Sequence, residues 1–328
     1  MRAVVFDGQG GPEVLRIAEL PDPRPSRGEV VVRVRAAAVN RADLLQRRGL
    51  YPPPPGTRAD APGLELAGEV AALGEGVTRV AVGDRVMAIA PGEAQAEVAV
   101  AHERMLVPVP AALSLEEAGA AMEAFLTAHD ALFTIGGLRP GWPVLIHAAG
   151  SGVATAALQL VRAAGATAIG TSRTPEKLER ARALGLAHGI HVDGARPAFA
   201  AEVRRLTGGD GVPLIVDFVG GPYLAENLAA LATGGRLVAV GTLGGGSATL
   251  ELPVLMRSRA SVVGTVLRAR PPEEKIRATR LFTAEVLPLL AAGRVRPVVD
   301  AVYPLDRVRE AHERLERNDS FGKLVLAP

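Results

Sequence analysis

The chain has 328 residues, 48% hydrophobic and 22% charged, the composition of a globular protein long enough for two cores. It contains no cysteine, which excludes disulfides, thiolate nucleophiles and every cysteine-based zinc site. The net charge is only +2 and aromatic residues are 3% of the chain, so no specific nucleic-acid partner is expected.

No stretch approaches the roughly 18 uninterrupted apolar residues of a membrane span, and the start of the chain reads as a strand rather than a secretory leader. A cytoplasmic protein without membrane attachment is expected. The first 118 residues or so read as short β segments between Gly/Pro turns: Arg2 to Phe6, Glu29 to Ala37, Leu66 to Leu73, Arg85 to Ala90 and Ala96 to Ala101. Without helical alternation between them, they predict a partly open barrel. Tyr51 to Pro55 can be neither a central strand nor a helix, because proline lacks the N–H that both require; it is read as a rigid surface loop.

From about Ser114 strands and helices alternate. Strands are predicted over Pro143 to Ala148, Thr167 to Thr171, Gly189 to Val192, Pro213 to Val219, Arg236 to Gly241 and Ser261 to Leu267. Helices fall between them over Val153 to Ala164, Pro175 to Leu184 and Tyr223 to Leu231. Continuous Val/Ile/Leu strands spaced by helices imply an α/β, doubly wound, six-stranded parallel Rossmann sheet covered on both faces. The tail reads as one long helix, Glu273 to Ala292, a strand from Val298 to Tyr303, a helix from Asp306 to Arg317 and a strand from Lys323 to Leu326. The last strand is expected to return to the first domain. The Rossmann unit, residues 119–267, is then an insertion in a substrate domain made of residues 1–118 and 268–328.

The first Rossmann strand enters the turn Ala149-Gly150-Ser151-Gly152-Val153, and a helix leaves it. Small residues there let the backbone approach a pyrophosphate, and the helix start offers free N–H groups and a positive dipole. The end of the second strand reads Thr171-Ser172-Arg173-Thr174, with Lys177 one helical turn later. A carboxylate that would hold a ribose 2′-hydroxyl is absent there, and two cations can reach a 2′-phosphate, so NADPH is the expected cofactor.

With these pieces placed, the chain resembles the medium-chain dehydrogenase/reductase superfamily over essentially its whole length. Within it, the chain is similar to the zinc-free NADPH:quinone oxidoreductase branch, particularly the p53-inducible quinone oxidoreductase-like proteins. The segment from Asn40 through Gln46 and Tyr51 to Pro54 is similar to that branch's asparagine-to-tyrosine loop. Gly63-Leu64-Glu65, Val82-Gly83-Asp84 and Gly322-Lys323-Leu324-Val325 fit as well. Gly141, Leu145, Ala149, Gly150, Gly152, Gln159 and Arg162 follow the branch's nucleotide signature. Trp142 stands where an acidic residue is usual, and Ser151 and Ala154 replace glycines. Zinc members have a cysteine where Asn40 stands, a histidine where Leu64 stands and a four-cysteine lobe that this chain lacks, so no metal site is expected. The six histidines are scattered and suggest no substitute.

The resemblance implies a GroES-like substrate domain and hydride transfer from NADPH to a quinone without metal. An enoyl or alkene reductase is the alternative, and a weakly active NADPH-binding protein with a structural or RNA-binding role is a further one. The partner would be a small-molecule quinone or activated alkene. By the same resemblance, Asn40 and Tyr51 face the acceptor and donate hydrogen bonds to its oxygen as charge develops. Thr127 would touch the nicotinamide side, and Gly150, Ser151, Gly152, Val153, Ser172, Arg173 and Lys177 the phosphates. Phe218, Val219, Gly241, Thr242 and Leu243 lie at strand ends where cofactors bind. Leu267, Arg268 and Lys323 are carried over as cofactor contacts. Several relatives place a tyrosine near the third strand's end on the 2′-phosphate side, where this chain has His191-Val192. Relatives commonly pair through the sheet edge near Ser261 to Leu267, so a homodimer is expected.

Overall fold

A computed structural model describes residues 1–193 and 197–328. The chain divides into two compact units, Met1–Leu126 with Leu267–Pro328, and Thr127–Val266.

The first unit opens with an antiparallel hairpin of β1 (Arg2–Phe6) and β2 (Leu15–Glu19). Next come β3 (Glu29–Val39), α1 (Arg41–Arg47), β4 (Glu65–Leu73), β5 (Arg85–Ile89), β6 (Val98–His102), β7 (Leu106–Pro108) and α2 (Leu115–Gly119). Helix α3 (Met122–His129) follows, then a π-helical stretch, Asp130–Ile135.

The second unit alternates as its sequence predicts: β8 (Pro143–Ile146), α4 (Gly152–Ala163), β9 (Thr167–Ser172), α5 (Pro175–Arg182), β10 (Leu186–His191), α6 (Ala200–Leu206), β11 (Val212–Asp217), α7 (Leu224–Ala230), β12 (Leu231–Ala239), α8 (Leu252–Ser258) and β13 (Ser261–Gly264). These six strands form one parallel sheet in the order β10-β9-β8-β11-β12-β13. The chain therefore winds outward from β8 to β10, then returns to β11 and winds the other way. That reversal leaves a crevice at the carboxyl ends of β8 and β11, where open α/β sheets take their ligands. Val144, Leu145 and Ile146 pair with Leu214, Ile215 and Val216, and all six are fully buried. Burial on both faces is why these strands read as uninterrupted apolar runs.

The tail adds α9 (Pro272–Glu285), α10 (Leu287–Ala291), β14 (Val299–Pro304), α11 (Val308–Glu316) and β15 (Lys323–Ala327) to the first unit. Leu324, Val325 and Leu326 of β15 pair antiparallel with Val39, Ala38 and Ala37 of β3, so the last strand does return to the first sheet. That sheet runs β14-β15-β3-β4-β5-β7, with β6 on β3, and it does not close into a barrel. The helix expected over Glu273 to Ala292 is two helices, broken at Val286. Pro288, at the start of α10, lacks an N–H and its ring crowds the preceding turn, so one continuous helix cannot form. The strand expected to reach Leu267 ends at Gly264. Among the described residues, no helix is long and apolar enough to cross a membrane.

Candidate active site

In the second unit, β8 leads into a turn in which Ala148 takes the left-handed conformation, with φ 52°. Ser151 caps α4: its Oγ accepts from Ala154 N at 3.3 Å. The N–H groups of Gly152 and Val153 open the helix, and like all such groups find no carbonyl within it. Gly150 leaves room that a side chain would take, since a Cβ there would lie 2.7 Å from Lys177 Cδ. The stem of Lys177 thus packs across the turn.

At the end of β9, Ser172 is buried and its Oγ accepts from Thr174 N at 3.1 Å, while Arg173 is exposed. His191 pairs with Ser172 across the strands, and its Nε2 donates to the Arg173 carbonyl at 3.1 Å. Resemblance had marked His191 only as a lost tyrosine; the structure sets its ring beside the basic strand end. Phe218 and Val219 are held to the loop after β12 by Leu243 N→Phe218 O at 3.1 Å and Gly244 N→Val219 O at 2.8 Å. Gly241 fits against Phe218, whose carbonyl would be 3.1 Å from a Cβ, and Thr242 lies in the same loop. Thr127 has a buried hydroxyl with no partner among the described residues.

A polar chain that sequence reasoning missed ties these strand ends together. Asp217 Oδ1 accepts from Val219 N at 2.7 Å and Gly220 N at 3.1 Å, and its Oδ2 accepts from Asn227 Nδ2 at 3.0 Å. Asn227 must then offer its oxygen to His147 Nε2, 2.6 Å away, so that nitrogen carries the proton. His147 Nδ1 is left to accept from the Thr171 hydroxyl at 2.8 Å. Burial holds the His147 pKa below its usual value, which keeps the ring neutral and the tautomer defined. The only signal in the sequence was a lone histidine after an apolar strand.

The first unit gathers charge around Asn40. Lys323, 5% exposed, pairs with the fully buried Glu65 at 2.7 Å and donates to Asn40 Oδ1. Asn40 Nδ2 donates to Glu65 Oε1 at 3.1 Å and to Ala38 O at 3.3 Å. The other oxygen of Glu65 accepts from the backbone N of Glu123 at 2.8 Å. Asp43 reaches back from the first turn of α1 to Asn40 N at 2.7 Å, and accepts from Gly63 N at 3.0 Å and Gln95 Nε2 at 3.2 Å. Gly63 has φ 117°, and a Cβ there would lie 2.4 Å from Gln95 N, so only glycine fits.

These charges perturb one another. Burial pushes the Asp43 carboxyl up to about 6 against its three hydrogen bonds. Burial, reinforced by the neighbouring Glu65, pushes Glu123 up to about 7. Burial and then Glu123 raise the Tyr51 phenol, with Arg268 opposing. Tyr51 sits at the start of the proline loop with the Arg268 guanidinium 5.6 Å from its ring centre. Of the residues carried over by resemblance, the first unit therefore groups Asn40 with Lys323 and Tyr51 with Arg268. Leu267 is a buried apolar residue beside Arg268 in sequence.

A dinucleotide-type sheet and a separate sheet unit with a charged core define an oxidoreductase architecture. Residues 26–135 match the alcohol dehydrogenase GroES-like domain family, and residues 184–326 the zinc-binding dehydrogenase family. The chain is 34% identical over 335 residues to a quinone oxidoreductase of Pseudomonas aeruginosa, covering 100% of this chain and 99% of the relative. The solved structure of an Escherichia coli quinone oxidoreductase complexed with NADPH is similar at TM-score 0.88 and 30% identity, covering 100% of both chains. A solved NAD-dependent alcohol dehydrogenase is similar at TM-score 0.89 and 36% identity, again over 100% of both. The chain belongs to the medium-chain dehydrogenase/reductase superfamily. Among the described residues, no group of three or more His, Cys, Asp or Glu is placed to hold a metal ion.

Proposed function

We propose that the protein is an NADPH-dependent reductase that delivers hydride to a quinone or similarly activated acceptor without a metal. The observation that carries this reading is the Lys323–Glu65–Asn40 cluster, a self-neutralising core in which the Lys323 ammonium balances the buried Glu65 carboxylate. A simple alcohol needs a Lewis acid to polarise its oxygen, so a site of this chemistry favours acceptors that take hydride readily.

The nucleotide's fit is supported by the open N–H groups of Gly152 and Val153, by the Lys177 stem that glycine at position 150 admits against the turn, and by the Thr127 hydroxyl, which has no partner among the described residues. Ser172, Arg173 and Lys177 would hold the 2′-phosphate. Phe218, Val219, Gly241, Thr242 and Leu243 would shape the strand-end floor. When bound, NADPH supplies the hydride; the protein orients it and excludes water. Tyr51 would supply a hydroxyl to the acceptor oxygen. Exposed Leu252, Met256, Val262 and Val266 around β13 favour a homodimer through that sheet edge.

Nucleotide fluorescence titration tests the cofactor half of the reading. NADPH should bind more tightly than NADH, and Arg173→Glu with Lys177→Glu should abolish or reverse that preference. Equal affinity of the unmodified protein for the two nucleotides would overturn it.

A further inference from the structure

An acceptor oxygen that gains charge needs donors, and Asn40 has none to spare. Its carboxamide oxygen accepts from Lys323, and its N–H groups serve Ala38 and Glu65. The role that resemblance gives to Asn40 must fall to other groups.

Arg268 offers one. It is 6% exposed, with Nε donating to Pro91 O at 2.8 Å and Nη1 reaching Tyr51 O at 3.5 Å. Its remaining nitrogen, Nη2, is buried and has no partner among the described residues. Among the described residues Arg268 forms no direct ion pair; Asp43 and Glu123 offset part of its burial from a distance. Such a group is costly to bury unless a ligand completes it. The guanidinium lies over the Tyr51 ring, and the Tyr51 hydroxyl has no hydrogen-bond partner among the described residues. The backbone of Gly92 passes close by: a Cβ there would lie 3.3 Å from Nη2. All these partners belong to the first unit.

We propose that Arg268 is a catalytic residue of the acceptor site: Nη2–H and the Tyr51 hydroxyl together hold the acceptor's carbonyl oxygen as negative charge develops on it. The inference rests on the reductase reading above and moves Arg268 from the cofactor to the acceptor. In the step, the acceptor gains a hydride from the reduced nicotinamide, and the displaced π pair moves onto its oxygen. The nicotinamide is oxidised and the acceptor reduced by two electrons. The charged oxygen then takes a proton from the Tyr51 hydroxyl, which recovers one from solvent. A fixed cation in a water-poor site lowers the barrier because its orientation is set before the charge appears.

The test compares Arg268→Met and Arg268→Lys with the unmodified protein, using 1,4-naphthoquinone as acceptor and NADPH fluorescence for binding. Arg268→Met should lose roughly 100-fold in kcat, the cost of removing one such donor, with the NADPH Kd held within about twofold. Arg268→Lys keeps the charge but not the fork, and should fall between; if the Met variant does not fold, the Lys variant decides. Weakened NADPH binding with unchanged kcat at saturating NADPH would overturn the proposal and return Arg268 to the nucleotide. Unchanged kcat and Kd would overturn it as well. No turnover by the unmodified protein with any acceptor would instead refute the reductase reading itself.

Discussion

Glu123→Gln should stabilise the protein, by an amount that grows as pH rises from about 4.5 to about 7 and stays constant above. In the native protein the Glu123 carboxyl titrates at about 7 rather than the ordinary 4.5, because it is desolvated and faces Glu65. The folded state therefore binds this proton more tightly than the unfolded chain does, and stability falls as pH rises between those two values. Above pH 7 the full cost of ionising the group in place is present; below 4.5 it is absent. At about 1.4 kcal/mol per pH unit the shift is worth about 3 kcal/mol, and partial solvent access trims this to about 2 kcal/mol. Glutamine keeps the shape without the charge, and the contact with Glu65 survives because the backbone N–H of Glu123 makes it. For a unit of this size, about 2 kcal/mol corresponds to a melting rise of roughly 4 to 8 °C. Calorimetry at pH 8 and pH 5 reads it directly. A rise at pH 8 that shrinks to a small fraction at pH 5 is expected. A pH-independent difference, or a loss of stability at pH 8, would refute the electrostatic argument.

Two further predictions concern the supports of the site. His147→Phe preserves ring packing against Phe199 and Tyr223 but orphans Asn227 Oδ1 and the Thr171 hydroxyl. It should cost about 1–3 kcal/mol in urea unfolding and weaken nucleotide binding; full native stability would contradict the chain of bonds described for it. Gly63→Ala forces a side chain into positive φ and against Gln95 N, so it should destabilise the protein by at least about 1–3 kcal/mol. A melting temperature equal to that of the unmodified protein would show that the backbone at this position accommodates a side chain without strain.

The Rossmann half was legible because burial on both faces leaves apolar runs such as Val144 to Ile146 and Leu214 to Val216 between turn residues. The strand-to-helix turn after β8 was legible because it is written in small residues between an apolar strand and a helix. The first unit was harder to read. The stretch carrying α1 reads Arg41-Ala42-Asp43-Leu44-Leu45-Gln46-Arg47, and nothing in it announces that Arg47 is completely buried. That burial is possible only because Gly10, His312 and Glu316, remote in sequence, supply its partners. The charged core was invisible for the same reason: Asn40 meets Glu65 across 25 positions and Lys323 across 283. Family resemblance marked Asn40 and Lys323 as important but could not show that they occupy each other. Short strands such as β2 and β7 have too few residues for a period to stand out.

The most direct test is NADPH oxidation by chelator-dialysed protein with 1,2- and 1,4-quinones, crotonyl thioester, and simple aldehydes and ketones as acceptors. The account predicts turnover with quinones that neither chelator nor added zinc changes, and negligible rates with unactivated carbonyls. Turnover restricted to simple aldehydes or ketones, or dependent on restored zinc, would contradict it.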